Sequence, residues 1–368
     1  MAEEKKVGVR ELARLARVSV GTVDRALNGR PEISEETRER ILRLADKHGY
    51  RPNPAARALS VGRSKIRIGV CLPRHFHVFY DQIRDGILDE AARFRHAGVE
   101  ILFQPTDHLG MGEVRVVKDV LKRGVRALIL TPGDAAALAP VIDQAETKAN
   151  VRVVCVASDD SMSRRSTWIA VDPRMNGHMA SELMANFLPA NSGVAIVTGM
   201  LKTEDHAQKV EGFAEAFPRD CPGGRIVEVI EGNDYEDETY EKTLRLLRSG
   251  KKLDGIYVST AIMLPVCRAL EETGRAGRIK VIATDLFLEA VPHLLRGTIS
   301  AIIYQRPYTQ GQLAVRFLMD HIMNGTRLPE RHALAPSVVL KSNLAMFREV
   351  RKRAEIVATA PLRGVSAH

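Results

Sequence analysis

From Ile66 to about residue 345, short apolar runs alternate with amphipathic stretches, and this alternation constrains the fold more than any other feature of the chain. Runs over 66–72, 99–103, 127–131, 151–156, 194–198, 226–230, 255–259, 280–284 and 299–303 read as strands buried on both faces. Between most of them lie segments with apolar residues at helical spacing, among them 80–97, 114–122, 135–147, 177–188 and 204–217. A parallel strand pair needs a crossover long enough to hold a helix, so strand–helix succession implies parallel sheets flanked by helices. Roughly 280 residues exceed one comfortable core, which predicts two similar α/β lobes. Ligands of such folds bind beyond the carboxyl ends of the strands, here in a cleft between the lobes.

The first 65 residues have a different texture. They hold fifteen of the 54 Lys/Arg and nine of the 45 Asp/Glu, an excess of six in a chain of 368 residues and net charge +9. Such asymmetry is expected of a small module that meets a polyanion, nucleic acid first, although a solvated basic face needs no partner. Leu12, Ala13, Leu15 and Ala16 make the apolar stripe of one short helix. Ser19 is a suitable cap for a second helix over 20–27, which Asn28-Gly29 closes. Val18, Val23, Ala26 and Leu27 point back toward the small Ala13 and Ala16, the layout of a helix-turn-helix. A third helix begins at Ser34, places Glu35 and Glu36 at its positive end, and stops at Gly49. After Tyr50-Arg51-Pro52, Asn53-Pro54 opens a further helix through Ser60 that is too short to be stable alone. On the second helix, Arg25 carries a planar fork suited to guanine O6 and N7, while Val20 offers an apolar contact and Gly21 close approach. A solvated surface arginine is the alternative reading of Arg25.

The stretch 9–28, the Tyr50-Arg51-Pro52-Asn53 segment and the helix over 55–60 resemble the head of the lactose/galactose repressor (LacI/GalR) family of bacterial transcription regulators. The resemblance implies that the second helix enters the major groove, with Val20, Gly21 and Arg25 at base-facing positions and Ser19, Thr22 and Asn28 at phosphate-contacting ones. It also implies a hinge helix that orders on DNA beside its twin, with Ala56 and Leu59 at the DNA and Leu59 wedged into the minor groove. Arg17 stands where the family usually has a turn glycine and Asp24 where it commonly has serine, so backbone strain is expected at Arg17 and phosphate repulsion at Asp24.

Residues 66 to about 343 resemble the periplasmic-binding-protein-like effector domain of the same family and its sugar-binding relatives. On that resemblance Phe79 and Tyr80 flank a bound ring, Asp159 and Asp160 follow a strand where a ligand-binding acid is placed, and Lys209 replaces a usual arginine. Asp285 and Gln305 match two further polar ligand positions, whereas Ala261-Ile262-Met263 falls where relatives commonly carry asparagine or aspartate. Aromatic faces, carboxylates and an amide together suit a polyhydroxylated ligand. Each has a plainer alternative: Phe79 and Tyr80 as core, Asp285 as a helix cap, Lys209 as a solvated surface residue.

The implied whole is a small all-α helix-turn-helix head (1–52), a hinge helix and linker (53–65), an α/β two-lobed effector-binding and dimerisation domain (66–345), and a basic tail (346–368) that frays and has no assigned function. The expected protein is a cytoplasmic, homodimeric transcription regulator, a repressor as most such proteins are. Its partners would be a pseudo-palindromic double-stranded DNA operator and a sugar, polyol or sugar acid. No apolar run is long enough to span a membrane, and the start leads into no signal-type segment. A solute-binding protein of a transport system would share the two lobes but needs a signal peptide and no basic head. An enzyme would need a catalytic constellation; Gly-x-Gly-x-x-Gly after a strand, Gly-x-Ser-x-Gly and His-Glu-x-x-His are absent from the sequence. No cofactor is expected, and the four scattered cysteines and eleven histidines suggest no metal site.

Overall fold

The computed structural model describes residues 8–27, 33–48, 50, 65–75 and 77–347. The chain divides into two compact units, residues 1–63 and 64–368. The hinge helix expected over 53–60 and the tail beyond residue 347 lie outside the described residues, as do Asn28, Ala56 and Leu59.

In the first unit α1 (Val9–Ala16), α2 (Val20–Leu27) and α3 (Glu35–Lys47) close around Leu12, Ala13, Ala16, Val23, Ala26, Ile41 and Ala45. Alanines at the crossing allow the close approach that so small a core requires. The turn after α1 is made by Arg17 in the left-handed region, φ 52° and ψ 45°, where a side chain costs roughly 1–2 kcal/mol relative to glycine. The expected strain is therefore present. It reverses the chain so that Ser19 Oγ accepts the Thr22 N–H at 3.0 Å and starts α2.

The second unit holds two six-stranded sheets. The first is ordered β11-β5-β4-β3-β1-β2, from β1 (Ile66–Cys71), β2 (Val99–Phe103), β3 (Ala127–Leu130), β4 (Arg152–Val156), β5 (Thr167–Val171) and β11 (Arg331–Leu334). The second is ordered β12-β10-β9-β8-β6-β7, from β6 (Gly193–Thr198), β7 (Arg225–Glu231), β8 (Gly255–Val258), β9 (Lys280–Thr284), β10 (Ala301–Tyr304) and β12 (Ser337–Val339). Neighbours pair in parallel except β12, which runs antiparallel to β10. Two similar parallel lobes are what the alternation implies. The short β5, β11 and β12 are not marked by it: β5 includes Trp168, which is core and lies 4.4 Å beneath the Arg331 guanidinium, and β11 alternates exposed with half-buried residues.

The helices are α4 (His77–Arg93), α5 (Glu113–Leu121), α6 (Ala135–Thr147), α7 (Pro173–Phe187), α8 (Glu204–Asp220), α9 (Glu236–Arg248), α10 (Met263–Glu272), α11 (Val291–Arg296) and α12 (Pro307–Asn324). The chain passes between lobes after β5, after β10 and between β11 and β12. Hence α7 packs on α8 in the second lobe, and α12 returns to pack on α4 in the first. Both crossings need glycine. A Cβ on Gly86 would overlap the Tyr308 carbonyl and one on Gly311 that of Ile83; in the second lobe Gly177 and Gly212 stand in the same relation to the carbonyls of Lys209 and Arg174. All four cysteines are buried and free, and burial pushes the Cys71 and Cys267 thiols up to about 12, far from a nucleophile's range.

Candidate functional site

Two surfaces gather the residues singled out above. On the head, Val23 and Ala26 turn α2 into the core, which leaves Ser19, Val20 and Gly21 exposed and Thr22 and Arg25 half-buried along the outward side. Val20 is 47% exposed although apolar. Gly21 lies inside a helix, where glycine costs ~0.5–1 kcal/mol relative to alanine, yet a Cβ there would meet only Ser19 Oγ at 3.6 Å. Nothing within the described residues requires glycine at this position.

The second surface is the cleft between the lobes, in which about 40 Å³ is free in this lobe arrangement. Contacts across it hold the lobes together. Thr203 Oγ1 donates to the Gly133 carbonyl at 2.9 Å, His75 Nε2 to the Asp234 carbonyl at 2.7 Å, and Gln82 Nε2 to the Leu286 carbonyl at 3.0 Å. The rings of His75 and His108 from the first lobe lie 4.3 Å apart, with Tyr235 of the second lobe 5.1 Å from His108.

The first lobe presents a neutral wall. Phe79 and Tyr80, at the start of α4, meet edge-to-face at 5.1 Å, and both line the cleft at 7% exposure. Burial pushes the Tyr80 phenol well above its ordinary range. Thr131 after β3 and Ala157-Ser158 after β4 complete this wall with Leu109. Ala157 has φ 64° in a tight turn closed by the Ser158 N–H on the Val156 carbonyl at 2.8 Å, a strained conformation for an alanine.

The second lobe presents a charged wall. Lys209, one turn below Asp205 on α8, donates to Asp205 Oδ2 at 2.7 Å, and both are buried. His206 Nδ1 accepts the Met200 N–H at 3.0 Å. Asp234, in the turn after β7, is buried and its carboxyl is raised by that burial. Asp285, after β9, has φ 79° and takes the Gln305 Nε2 donor on both oxygens at 3.1 and 3.0 Å. Burial pushes its carboxyl up to about 7, with Lys209 and Gln305 pulling the other way. The short helical turn that follows is capped from Phe287, so Asp285 is not its cap. Gln305 sits in a crossover between lobes, where the buried Gln310 donates to its carbonyl at 2.9 Å and accepts the Ala157 N–H at 3.0 Å.

The structure thus brings Phe79, Tyr80, Lys209, Asp285 and Gln305 to one cleft. It does not bring Asp159 and Asp160 there, and the expectation for these two is corrected. Asp159 is held two-pronged by the buried Arg165, with Nη2 to Oδ2 at 2.7 Å, and Asp160 caps Ser163 at 3.1 Å. The strand end is correct, but Ala157 and Ser158 are the residues that face inward. Asp205, His206, Asp234 and Thr131 were not anticipated. Asp205 and Lys209 are four apart on a helix, a spacing that marks an ion pair, but that spacing does not tell a buried pair from an exposed one.

A family model described as "Periplasmic binding protein domain" matches residues 68–326, and one described as "Bacterial regulatory proteins, lacI family" matches residues 9–53. Catabolite control protein A of Priestia megaterium is 25% identical over 350 residues, 94% of this chain and 99% of that protein. The D-ribose/D-allose-binding protein of Pseudomonas aeruginosa is 25% identical over 233 residues, 62% of this chain and 72% of that one. Among solved structures, an ABC transporter solute binding protein of Burkholderia graminis in complex with D-arabinose superposes with TM-score 0.72 at 25% identity, over 77% of this chain and 97% of that one.

Proposed function

This chain belongs to the periplasmic binding protein domain family and carries the DNA-binding head of the lacI regulators, and from that premise we propose that it is an effector-responsive repressor. The effector is a sugar-like, polyhydroxylated molecule held in the cleft. One observation carries the effector reading. The hydroxyls of Thr131, Ser158 and Thr260 and Oδ1 of Asp205 are buried in the cleft lining with no hydrogen-bond partner among the described residues. Buried polar atoms are almost always satisfied, so four in one cleft call for a ligand that both donates and accepts. The sugar-binding proteins that resemble the two lobes support the same class.

On the head, Val20, Gly21 and Arg25 are the proposed base-facing residues, with Ser19, Thr22 and Asn28 toward phosphates and Ala56 and Leu59 in the hinge. The protein acts in the cytoplasm as a homodimer on a pseudo-palindromic operator and carries out no catalysis. A ligand that favours one lobe arrangement shifts operator affinity by as much as its own affinity differs between the arrangements. A solute-binding protein of a transport system has no use for the head, and binding to DNA separates the two readings.

The test pairs the two surfaces. Arg25→Ala is expected to lose ~1–3 kcal/mol on the specific operator and to relax preference at one base pair per half-site. Equal weakening on every sequence would assign Arg25 to phosphate. Gly21→Ala is expected to stabilise the head while weakening operator binding, and unchanged binding would remove Gly21 from the interface. For the cleft, a thermal-shift screen of sugars and polyols should find a ligand that stabilises by ~2.7 kcal/mol at 100 times its dissociation constant. A full screen without a shift would remove the sugar-like effector.

A further inference from the structure

The charged wall is unbalanced. Asp205, Asp234 and Asp285 bring three buried carboxylates to the cleft, and against them stand Lys209, already bonded to Asp205, and the rings of His75 and His206 beside Asp234. His206 Nδ1 is taken up by the Met200 N–H. The first lobe contributes aromatic faces and hydroxyls but no cation to the lining. Arg165, the nearby buried guanidinium, is spent on Asp159. A closed cleft with excess carboxylate cannot hold a further anion, because like charges in a low-dielectric space repel strongly and a buried unpaired charge is costly.

Oδ1 of Asp205 and the hydroxyls of Thr131, Ser158 and Thr260 are buried in the cleft lining with no hydrogen-bond partner among the described residues. We propose that this ligand carries a protonated amine on a polyhydroxylated frame, as an amino sugar or amino polyol does. The proposal rests on the sugar-like reading of the cleft and narrows it. The ammonium donates to the surplus carboxylates and neutralises them, the frame's hydroxyls meet the threonine and serine hydroxyls, and the ring lies on Phe79 and Tyr80. Sugar acids and sugar phosphates are excluded by the same charge. Burial raises the carboxyls of Asp234 and Asp285 while Lys209 pulls both the other way, and an ammonium beside them would favour their charged forms.

The experiment is a calorimetric comparison on the full chain of frame-matched series: D-glucose, D-glucosamine, N-acetyl-D-glucosamine, D-glucuronate and glucose 6-phosphate, with the corresponding galactose and mannose series. Within the series that binds, the amine should be at least tenfold tighter than the neutral sugar, and the acid and phosphate should give no heat. The N-acetyl member, similar in frame but uncharged, should lose the advantage. In Asp234→Asn and Asp285→Asn the amine should lose several-fold more affinity than the neutral sugar of the same series, so that its advantage shrinks. These isosteric variants remove a buried charge and should keep the fold, which thermal unfolding verifies. Neutral sugars as tight as the amine, or an acid tightest of all, would overturn the amine and leave the sugar-like reading standing. A protein that holds its operator yet binds no member of any series would overturn both.

Discussion

The two lobes share one framework and differ in what they bring to the cleft. Both sheets have the same strand order, and each lobe locks a pair of helices by a mutual glycine crossing, Gly86 with Gly311 and Gly177 with Gly212. At the carboxyl ends of the strands the likeness stops. The first lobe presents Phe79, Tyr80, Thr131 and Ser158, and the second presents Asp205, Lys209, Asp234 and Asp285. Framework and lining are set by different residues, so a fold can be repeated while its two walls differ, with aromatic faces and hydroxyls on one side and carboxylates with a lysine on the other.

The largest effect tests the shared framework. Gly177→Val and Gly311→Val each drive a branched side chain into a backbone carbonyl, which no rotamer relieves, and each should destabilise by ~3 kcal/mol or prevent folding. Denaturant unfolding that finds one lobe tolerant and the other not would break the equivalence. Next comes the charged wall without ligand. The folded Asp285 carboxyl keeps its proton to about pH 7, whereas in an unfolded chain it releases it near pH 4. In that window the folded state binds more protons, so this group's contribution to stability falls as pH rises from about 4 to 7 and is level above. Asp285→Asn should remove that part of the slope and make the empty protein more stable at pH 8. A pH-stability curve unchanged by the substitution would show that Asp285 is not held at a cost.

The walls are separated by ligand binding. Asp285→Ala should weaken effector binding tenfold or more, ~1–3 kcal/mol, and leave operator binding without effector nearly unchanged. A variant that keeps effector affinity but melts at lower temperature would make Asp285 structural. The smallest effect belongs to the neutral wall. Phe79→Leu keeps an apolar surface but removes the ring face, and should lose ~0.5–1.5 kcal/mol of effector binding, nearly independent of the ligand's charge. A loss at Phe79 that exceeds the one at Asp285 would invert the assignment of the walls.

By itself the sequence determined the helix-turn-helix head, the parallel two-lobed architecture and the strand ends that face the cleft. These follow from local signals: apolar periodicity, caps such as Ser19 and Ser34, and the requirement that parallel strands be joined through helices. It also placed Phe79, Tyr80, Lys209, Asp285 and Gln305 on the positions that meet in the cleft. Only the tertiary structure decided which way a side chain at a strand end turns. Asp159 and Asp160 look as suitable as Asp285, yet the turn at Ala157 with φ 64° directs Ser158 inward and leaves Asp159 to Arg165 and Asp160 to Ser163. Short β11 and β12 could not be read either, because their pairing with β5 and β10 depends on partners more than thirty residues away. The charge balance of the cleft was equally hidden, since Asp205, Asp234 and Asp285 are far apart in the chain and share an environment only where two strand ends and the start of a helix converge. Burial and like-charge proximity are properties of that convergence, and no local pattern encodes them.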